Sequence, residues 1–431
     1  MIYYKGFNYL NINIHHNQNM KISVNIFRLV FLFVLWIPNM KSIAQEKTLA
    51  LVGAKIYPAP FEKPIMNGVV IIENGKIIKV GTNKDVKIPA AARIIDCTGL
   101  VMMSGFWNCH VHFMEPHWQG ADRIPVEQLN HQLKSMLTRY GFTYAFDLAT
   151  LDINNLLALR NRISKEEVDG PTILTAGVPF TPENGSPFYI APLKLPEIST
   201  PDHAREYVNG QLDAGADAIK LWSASPDGKK IITMPVEIIN AATEAAHKRG
   251  KPVFAHPTNL EGVKIAQQGG VDILAHVAAD DLVDWDQQTI SAMLSSKMAL
   301  IPTLKLHKWE LERAGQSSEN HLLTNTAIRQ LSSYSMTGGE ILFGTDVGYM
   351  TDYSPEDEYI LMGKAGMNFF QILAALTTTP ARRFGLDKQS GSIAEGMDAD
   401  LVLLSADPAI DVKHFADVKY TIRKGRIIYR D

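Results

Sequence analysis

The sequence contains little cysteine. Its 431 residues include only two, Cys97 and Cys109, and whether these two pair cannot be read from the sequence. Two cysteines cannot form a disulfide framework for a chain of this length. The fold must therefore be held by a hydrophobic core, and 46% of the residues are hydrophobic.

The sequence also lacks a large excess of charge. Its 42 Lys and Arg and 45 Asp and Glu give a formal net charge of -3 and a pI near 6.5. Such a balance provides no basic surface for nucleic acid or for an anionic membrane. No glycine-rich dinucleotide-binding fingerprint opens a helix, and no short repeat follows residue 45. We expect a globular protein that acts on a small molecule; its oligomeric state stays open, a homo-oligomer included.

No apolar run reaches the ~20 residues of a membrane-spanning helix. The strongest run, Leu29–Ile37, ends at Pro38. Basic residues precede it and the small residues of Ser42–Ala44 follow it, which is the pattern of a secretory signal over Met20–Ala44. The sequence thus predicts an exported, periplasmic protein with no membrane contact after signal cleavage, and residues 1–19 are upstream sequence that belongs to no folded domain.

Both ends of the remaining chain have β-strand patterns. A two-residue turn at Asn74-Gly75 lies between two β-branched runs, which is typical of a tight hairpin. A second hairpin turns near Lys424-Gly425. We predict that residues 45–98 and 386–431 belong to one small β domain.

Between these ends, short apolar runs alternate with longer segments of helical periodicity. This βαβ pattern predicts an α/β fold with parallel strands, either a closed barrel or a doubly wound sheet. Eight predicted strands over residues 99–385 favour the (β/α)8 TIM barrel, which commonly occupies ~250 residues. The predicted strands are Val101–Cys109, Thr143–Leu148, Thr172–Ala176, Ala218–Leu221, Pro252–Ala255, Val271–Ala275, Met298–Thr303 and Glu340–Thr345.

Two histidines, His110 and His112, stand one residue apart in NCHVHF at the end of the first predicted strand. Because side chains alternate along a strand, both imidazoles project to the same side. At the carboxyl end of a barrel strand that side faces the mouth, where such folds place their active sites. Neutral imidazoles are good zinc ligands, although an isolated pair is a weak indication of a metal.

Other strand ends supply further candidate ligands. His256, His276 and Asp346 end the runs VFAH, DILAH and ILFGTD, and Lys220 interrupts the apolar run of AGADAIKLW. Singly, each has a structural explanation as a core group, a turn residue or a snorkelling lysine. At corresponding ends of one predicted barrel, they favour a shared metal site. A buried lysine amine with a lowered pKa can also add carbon dioxide, and the carbamate can bridge two metal ions.

The segments GLVMMSGFWNCHVHF and GSIAEGMDADLVLL resemble two signatures of the amidohydrolase superfamily, at its first barrel strand and at the return from the barrel to the β domain. The resemblance extends from about residue 48 to 431. It implies a metal-dependent hydrolase whose barrel is flanked by a β-sandwich built from both termini. It also implies the ligand set of the binuclear, carboxylated-lysine subgroup, which includes prolidase-like members: His110, His112, Lys220, His256, His276 and Asp346.

The resemblance further implies the chemistry. The cofactors are two divalent ions, predicted to be zinc, and a carbon dioxide adduct on Lys220, that is, N6-carboxylysine. The ions activate water for attack on a carbonyl carbon, the C–N bond at that carbon then breaks, and Asp346 is the catalytic residue that carries the proton. We therefore predict an amidohydrolase for a small amide, with a dipeptidase as one form of that activity.

Three departures from the family pattern concern positions other than the predicted ligands. Ser104-Gly105 stands where Pro-Gly is usual, Asn108 where Asp is common, and Pro257 where relatives often have Ala followed by another His. They affect expected loop geometry and a substrate contact. Weaker candidates for substrate contact are the loop residues Glu115, His117 and Trp118, and the segment 177–189 as a lid.

Three other functions are compatible with parts of the pattern. The same site can hydrolyse esters, lactones or phosphotriesters. A mononuclear deaminase would not use Lys220, and it generally places a glutamate near the metal, whereas none follows His276 here. A non-catalytic binding module is the third alternative.

Overall fold

The structure, a computed structural model, describes residues 48–431, so the predicted upstream segment and signal over 1–44 lie outside the described residues. Within the described part of the chain, no helix combines the length and apolar character needed to span a bilayer.

The strands are β1 Leu49–Ile56, β2 Ile65–Glu73, β3 Lys76–Thr82, β4 Arg93–Asp96, β5 Val101–Ser104, β6 Phe106–His112, β7 Phe142–Ala149, β8 Thr172–Thr175, β9 Thr181–Pro182, β10 Glu197–Ile198, β11 Ile219–Trp222, β12 Ala224–Pro226, β13 Ile231–Thr233, β14 Val253–His256, β15 Ile273–Ala275, β16 Ala299–Ile301, β17 Leu401–Leu404, β18 Val418–Arg423 and β19 Arg426–Arg430. The α-helices are α1 Val126–Met136, α2 Ile153–Ser164, α3 Pro201–Asp213, α4 Val236–His247, α5 Leu260–Gln268, α6 Gln287–Ser295, α7 Leu304–Arg313, α8 Leu322–Met336, α9 Glu356–Lys364, α10 Phe369–Leu376 and α11 Thr378–Arg383.

An eight-stranded sheet combines both ends of the described chain. Its strands run in the order β19-β18-β17-β5-β1-β2-β3, and β4 pairs with β1. Both predicted hairpins are present, and φ is positive at Asn74, Gly75, Lys424 and Gly425, as a two-residue type I′ turn requires. Alternate residues of three strands fill one core, because side chains on a strand alternate between its faces. They are Leu49, Leu51, Val70, Ile72, Leu401 and Leu403.

The parallel strands form two sheets, β6-β7-β8 and β11-β14-β15-β16. Single backbone contacts extend beyond them: the Cys109 amide donates to the Phe343 carbonyl at 2.7 Å, and the Asp217 amide donates to the Thr175 carbonyl at 2.7 Å. The described strands do not join into one closed sheet. The fold is therefore mixed α/β, as predicted, whereas the closed (β/α)8 barrel stays a prediction.

Two of the predicted strands were wrong in detail. The run Val101–Cys109 is divided between β5 of the eight-stranded sheet and β6 of a parallel sheet, with Gly105 between them. The Gly105 amide donates to the Asp400 carbonyl at 2.8 Å. The sequence pattern does not reveal this break, because both halves of the run are buried and largely apolar. The predicted strand Glu340–Thr345 forms only an isolated bridge at Ile341.

The other predicted runs each overlap a parallel strand. The strands that carry Lys220 and His256 and the strand before His276 were therefore predicted correctly, whereas the predicted strand before Asp346 was not. The predicted domain ranges 45–98, 99–385 and 386–431 stay predictions.

Candidate active site

His110 and His112 lie on β6 with their imidazoles on the same side of the strand. Both side chains are buried, and their Nε2 atoms are 3.2 Å apart. This is the arrangement expected from strand alternation.

Asp346 faces these two histidines. Its amide donates to the His110 carbonyl at 2.8 Å, and its φ of 63° is in the left-handed region. Its Oδ1 atom lies 2.7 Å from His112 Nε2 and 3.2 Å from His110 Nε2. Although these distances are short, the angles do not meet the criteria for a hydrogen bond. Oδ1 therefore has no hydrogen-bond partner among residues 48–431. Nearly all buried polar groups are satisfied, so an unpartnered carboxylate oxygen beside two imidazoles fits a cation.

Two further histidines complete the cluster. The His276 ring centroid is 4.6 Å from that of His110 and 4.6 Å from that of His256. His276 Nδ1 shares a hydrogen bond of 2.7 Å with Thr303 Oγ1, which fixes the ring orientation. One potential ligand atom each from His110, His276 and Asp346 lies within 4.8 Å of the others.

Burial keeps these imidazoles uncharged. It lowers the pKa of His110, His256 and His276 well below the usual range of histidine. Neutral imidazole is the form that binds metal ions. The uncharged state of these three histidines therefore agrees with a role as metal ligands.

Lys220 on β11 lies in the same region. Its side chain is buried, and Nζ is 5.2 Å from the centroid of Trp222, whose ring stacks on His256. Burial lowers the pKa of Lys220 to about 7, although the negative charge of Asp346 acts in the opposite direction. A substantial fraction of the amine is thus unprotonated at neutral pH, which is the form that adds carbon dioxide.

All six predicted site residues line one cavity of about 500 Å³. His110 and His112 lie on β6, Lys220 on β11 and His256 on β14, while His276 directly follows β15 and Asp346 lies in the loop after Phe343. The set supplies imidazole nitrogens, a carboxylate and an amine in one place, so the residues fit a divalent metal site.

The sequence analysis missed two buried ionisable residues near this cluster. Asp147 on β7 accepts hydrogen bonds from the Phe113 amide at 3.1 Å and from Thr175 Oγ1 at 2.8 Å, and burial raises its pKa to about 6. These hydrogen bonds connect the residue after β6 with β7 and β8. Like Lys220, it is a charged residue inside an apolar run, and that pattern could have revealed it.

His307 on α7 is the second missed residue. It lines the cavity, and its buried Nε2 atom has no hydrogen-bond partner in the described part of the chain. Burial lowers the pKa of His307 to about 4, so the imidazole is neutral at pH 7. Its helical position carries no local mark in the sequence that distinguishes it from other histidines on helices.

The weaker candidates have mixed outcomes. Glu115, His117 and Trp118 do not line the cavity. Glu115 instead accepts a hydrogen bond of 2.9 Å from Tyr353, and Trp118 packs against Phe113. The segment 177–189 does reach the cavity through Phe188 and Tyr189.

Gly348 lies where the loop after Asp346 passes close to β6. Its φ is +96°, and an added Cβ would lie 1.9 Å from the His112 carbonyl oxygen. We expect Gly348→Ala to lower the free energy of unfolding by roughly 1–3 kcal/mol through this overlap, in addition to the left-handed backbone strain. Urea denaturation measures the loss, and zinc titration should show weaker binding because the loop carries Asp346.

Gly338→Ala is the matched control. Gly338 has a similar φ of +87°, but no atom lies within 4 Å of the added Cβ. This variant therefore has the backbone strain without the overlap. Equal losses of stability in the two variants would show that the approach to His112 does not matter.

The buried cluster of His110, His276 and Asp346 in an α/β fold has the donor atoms for a divalent metal ion, and comparison with known proteins identifies the family. The model of the amidohydrolase family matches residues 101–428. The chain belongs to the amidohydrolase family. The predicted resemblance is confirmed, and so is the prediction that the chain is a hydrolase of this family.

Curated relatives match over most of their length. Ochratoxinase from Aspergillus niger is 20% identical over 420 residues, which cover 88% of this chain and 85% of that protein. Dihydroorotase from Streptococcus pneumoniae serotype 4 is 23% identical, covering 84% of this chain and 95% of the relative. Allantoinase from Bacillus licheniformis is 24% identical, covering 82% and 89%.

Solved structures resemble the whole described fold. A putative prolidase from Bifidobacterium longum aligns with a TM-score of 0.74 and 26% identity, covering 89% of this chain and 95% of that one. A Xaa-Pro dipeptidase with bound methionine in its active site aligns with a TM-score of 0.76 and 19% identity, covering 89% and 100%. The second likeness concerns the fold alone.

Proposed function

We propose that this protein is a metal-dependent hydrolase that cleaves the amide C–N bond of a small substrate. The observation that carries the proposal is the Asp346 carboxylate, buried without a hydrogen-bond partner in the described chain and 2.7 Å from His112 Nε2. The relatives named dihydroorotase and allantoinase and the structure named as a putative prolidase support amide-type chemistry.

The proposal includes the architecture and location of the enzyme. The parallel strands would close into a (β/α)8 barrel through contacts such as that of Cys109 with Phe343, with the β-sandwich beside it. The charge pattern of Met20–Ala44 supports export to the periplasm.

Two divalent ions, zinc in the first instance, would be held by six residues. His110, His112, His256, His276, Asp346 and carboxylated Lys220 would hold the ions. When bound, such ions polarise a carbonyl group and supply a nucleophile at neutral pH. The unpartnered Oδ1 atom of Asp346 and the Nε2 atoms of His110 and His112 beside it support this assignment.

The residues of the chain would move the proton. Asp346 accepts the proton of the attacking water and transfers it to the departing nitrogen, while the C–N bond breaks and a C–O bond forms. The products are a carboxylate and an amine. The neutral His276, held by Thr303, keeps the site free of positive charge that would compete for the carboxylate.

Metal removal tests the proposal. We expect the zinc-loaded protein to hydrolyse members of a panel of dipeptides and N-acyl amino acids, and the chelated protein to lose at least about 100-fold in rate. Activity should return as about two equivalents of zinc are added. His110→Asn should prevent that return, whereas His203→Asn, on the exposed surface of α3, should not.

Two outcomes would contradict parts of the proposal. Faster hydrolysis of esters or lactones than of any amide would overturn the assignment to C–N bonds. Full activity with one equivalent of zinc would overturn the binuclear site in favour of a mononuclear one.

A further inference from the structure

Apart from the candidate metal ligands, the wall of the cavity is largely apolar. The segment 188–195 forms one part of it, and the helices α7 and α8 contribute another. We call the following residues the apolar wall: Phe188, Ile190, Leu193, Leu195, Leu306 and Leu323. This wall is continuous with the candidate metal site, because both line the same cavity of about 500 Å³.

Two members of the apolar wall are left in contact with water. Phe188 is 56% exposed and Leu193 is 40% exposed. Burying such surface against a ligand is favourable in proportion to the area removed from water. Phe188 also packs against Gly228, in the turn between β12 and β13. A Cβ atom added at Gly228 would lie only 3.2 Å from the Cβ of Phe188. Its ring is therefore supported on one side and free on the other.

Two of the charged residues that line the cavity are paired with each other. Glu310 pairs with Arg313 at 2.7 Å and accepts a hydrogen bond from Tyr349 Oη at 2.7 Å. Asp280 also lines the cavity, is exposed and has no salt-bridge partner in the part of the chain described. Its carboxylate repels anions and would attract a cationic group, so a substrate with an ammonium group is included in the test below.

From these observations we infer that the substrates carry a large uncharged apolar group, an alkyl chain or an aromatic ring, next to the scissile amide. The apolar group lies against Phe188 and Leu193, while the amide carbonyl faces Asp346 and the histidines. This inference rests on the proposed amide hydrolysis and specifies the substrate class of that same site. Cavities of this volume commonly bury most of a small ligand against apolar side chains, with a few polar groups to orient it.

Two homologous series of amides test the inference with the zinc-loaded protein. In one series the acyl chain grows from acetyl to octanoyl on a fixed amine, and in the other the amine grows from ethyl to octyl on a fixed acetyl group. We expect kcat/KM to rise about 3- to 4-fold per methylene in at least one series, until the apolar wall is covered. An analogue of the best substrate with a terminal ammonium group should be at least about 100-fold slower.

Variants of the wall provide a second measurement. Leu193→Ala should reduce the ratio of kcat/KM for the octanoyl or octyl substrate to that for its shortest homologue by roughly 10-fold. Ile410→Ala is the matched control, because Ile410 is 83% exposed and does not line the cavity. It should leave this ratio unchanged.

The outcomes separate the inference from the proposed function. Amide turnover that is independent of chain length in both series would overturn the inference and leave amide hydrolysis standing. Faster turnover of the ammonium analogue would also overturn it, since Asp280 would then select a cation. Failure of the zinc-loaded protein to hydrolyse any amide, short or long, would overturn the proposed function and the inference with it.

Discussion

Asp346→Asn should lower kcat/KM by roughly 100- to 10,000-fold, which is the range of a lost general acid–base. Asparagine has nearly the same shape, and the backbone of residue 346 is held by the hydrogen bond of its amide to the His110 carbonyl. The side chain nevertheless loses its negative charge and can no longer accept and release a proton. Steady-state kinetics on the best amide substrate measure the effect, with the zinc content of each preparation determined in parallel.

Asp387→Asn is the control for this substitution, since Asp387 is exposed and outside the cavity. It should retain full activity. Retention of more than about one tenth of the activity by Asp346→Asn, at full zinc content, would exclude Asp346 as the proton carrier. If the variant loses zinc, the assay is repeated with excess metal, so that a binding defect and a proton-transfer defect are distinguished.

Lys220→Ala should also abolish most activity, and a short carboxylate such as acetate or propionate should restore part of it. The variant leaves a space where the buried side chain stood, and a carboxylate can occupy it with the two oxygens that a carbamate would supply. We expect a loss of at least about 100-fold in kcat, as for other residues that organise a metal site. Lys220→Arg is the control, because it stays charged and cannot form a carbamate.

The carbamate can be observed directly. Protein prepared with ¹³C-bicarbonate and zinc should show one carbamate signal that is missing in Lys220→Arg. Since the pKa of Lys220 is about 7, the amine is mostly protonated at pH 6 and mostly neutral at pH 8. Addition of carbon dioxide requires the neutral amine, so reactivation of the metal-free protein by zinc and bicarbonate should be faster at pH 8. Equal rates at both pH values, or no loss in Lys220→Ala, would contradict the carbamate bridge.

The positions of the candidate ligands were predictable because each is marked by its place in a local pattern. His256 ends an apolar run, His276 follows one, and Lys220 interrupts one. Parallel strands present their carboxyl ends at one edge, so residues that are far apart in sequence meet there. The cavity indeed brings all six residues together.

Other features of the fold were not predicted, because they depend on contacts between residues that are far apart in the sequence. The division of Val101–Cys109 at Gly105 depends on the approach of Thr143, whose Oγ1 lies 2.2 Å from where a Cβ would be. His307 faces the cavity because of how α7 packs, which helical periodicity alone does not reveal. The irregular segment near Ile341 has the composition of a strand but forms a single bridge there.

The pairing of β17 with β5 joins the beginning and the end of the described chain in one sheet. During synthesis, β5 emerges long before β17. The edge of β5 that pairs with β17 therefore stays unpaired until residues 401–404 have been synthesised. Long-range pairing of this kind slows folding. We propose export for this protein, and such a delay would then keep the chain unfolded for its passage through a membrane. Deleting residues 401–431 would leave the β5 edge permanently open, and exposed edges of this kind promote aggregation.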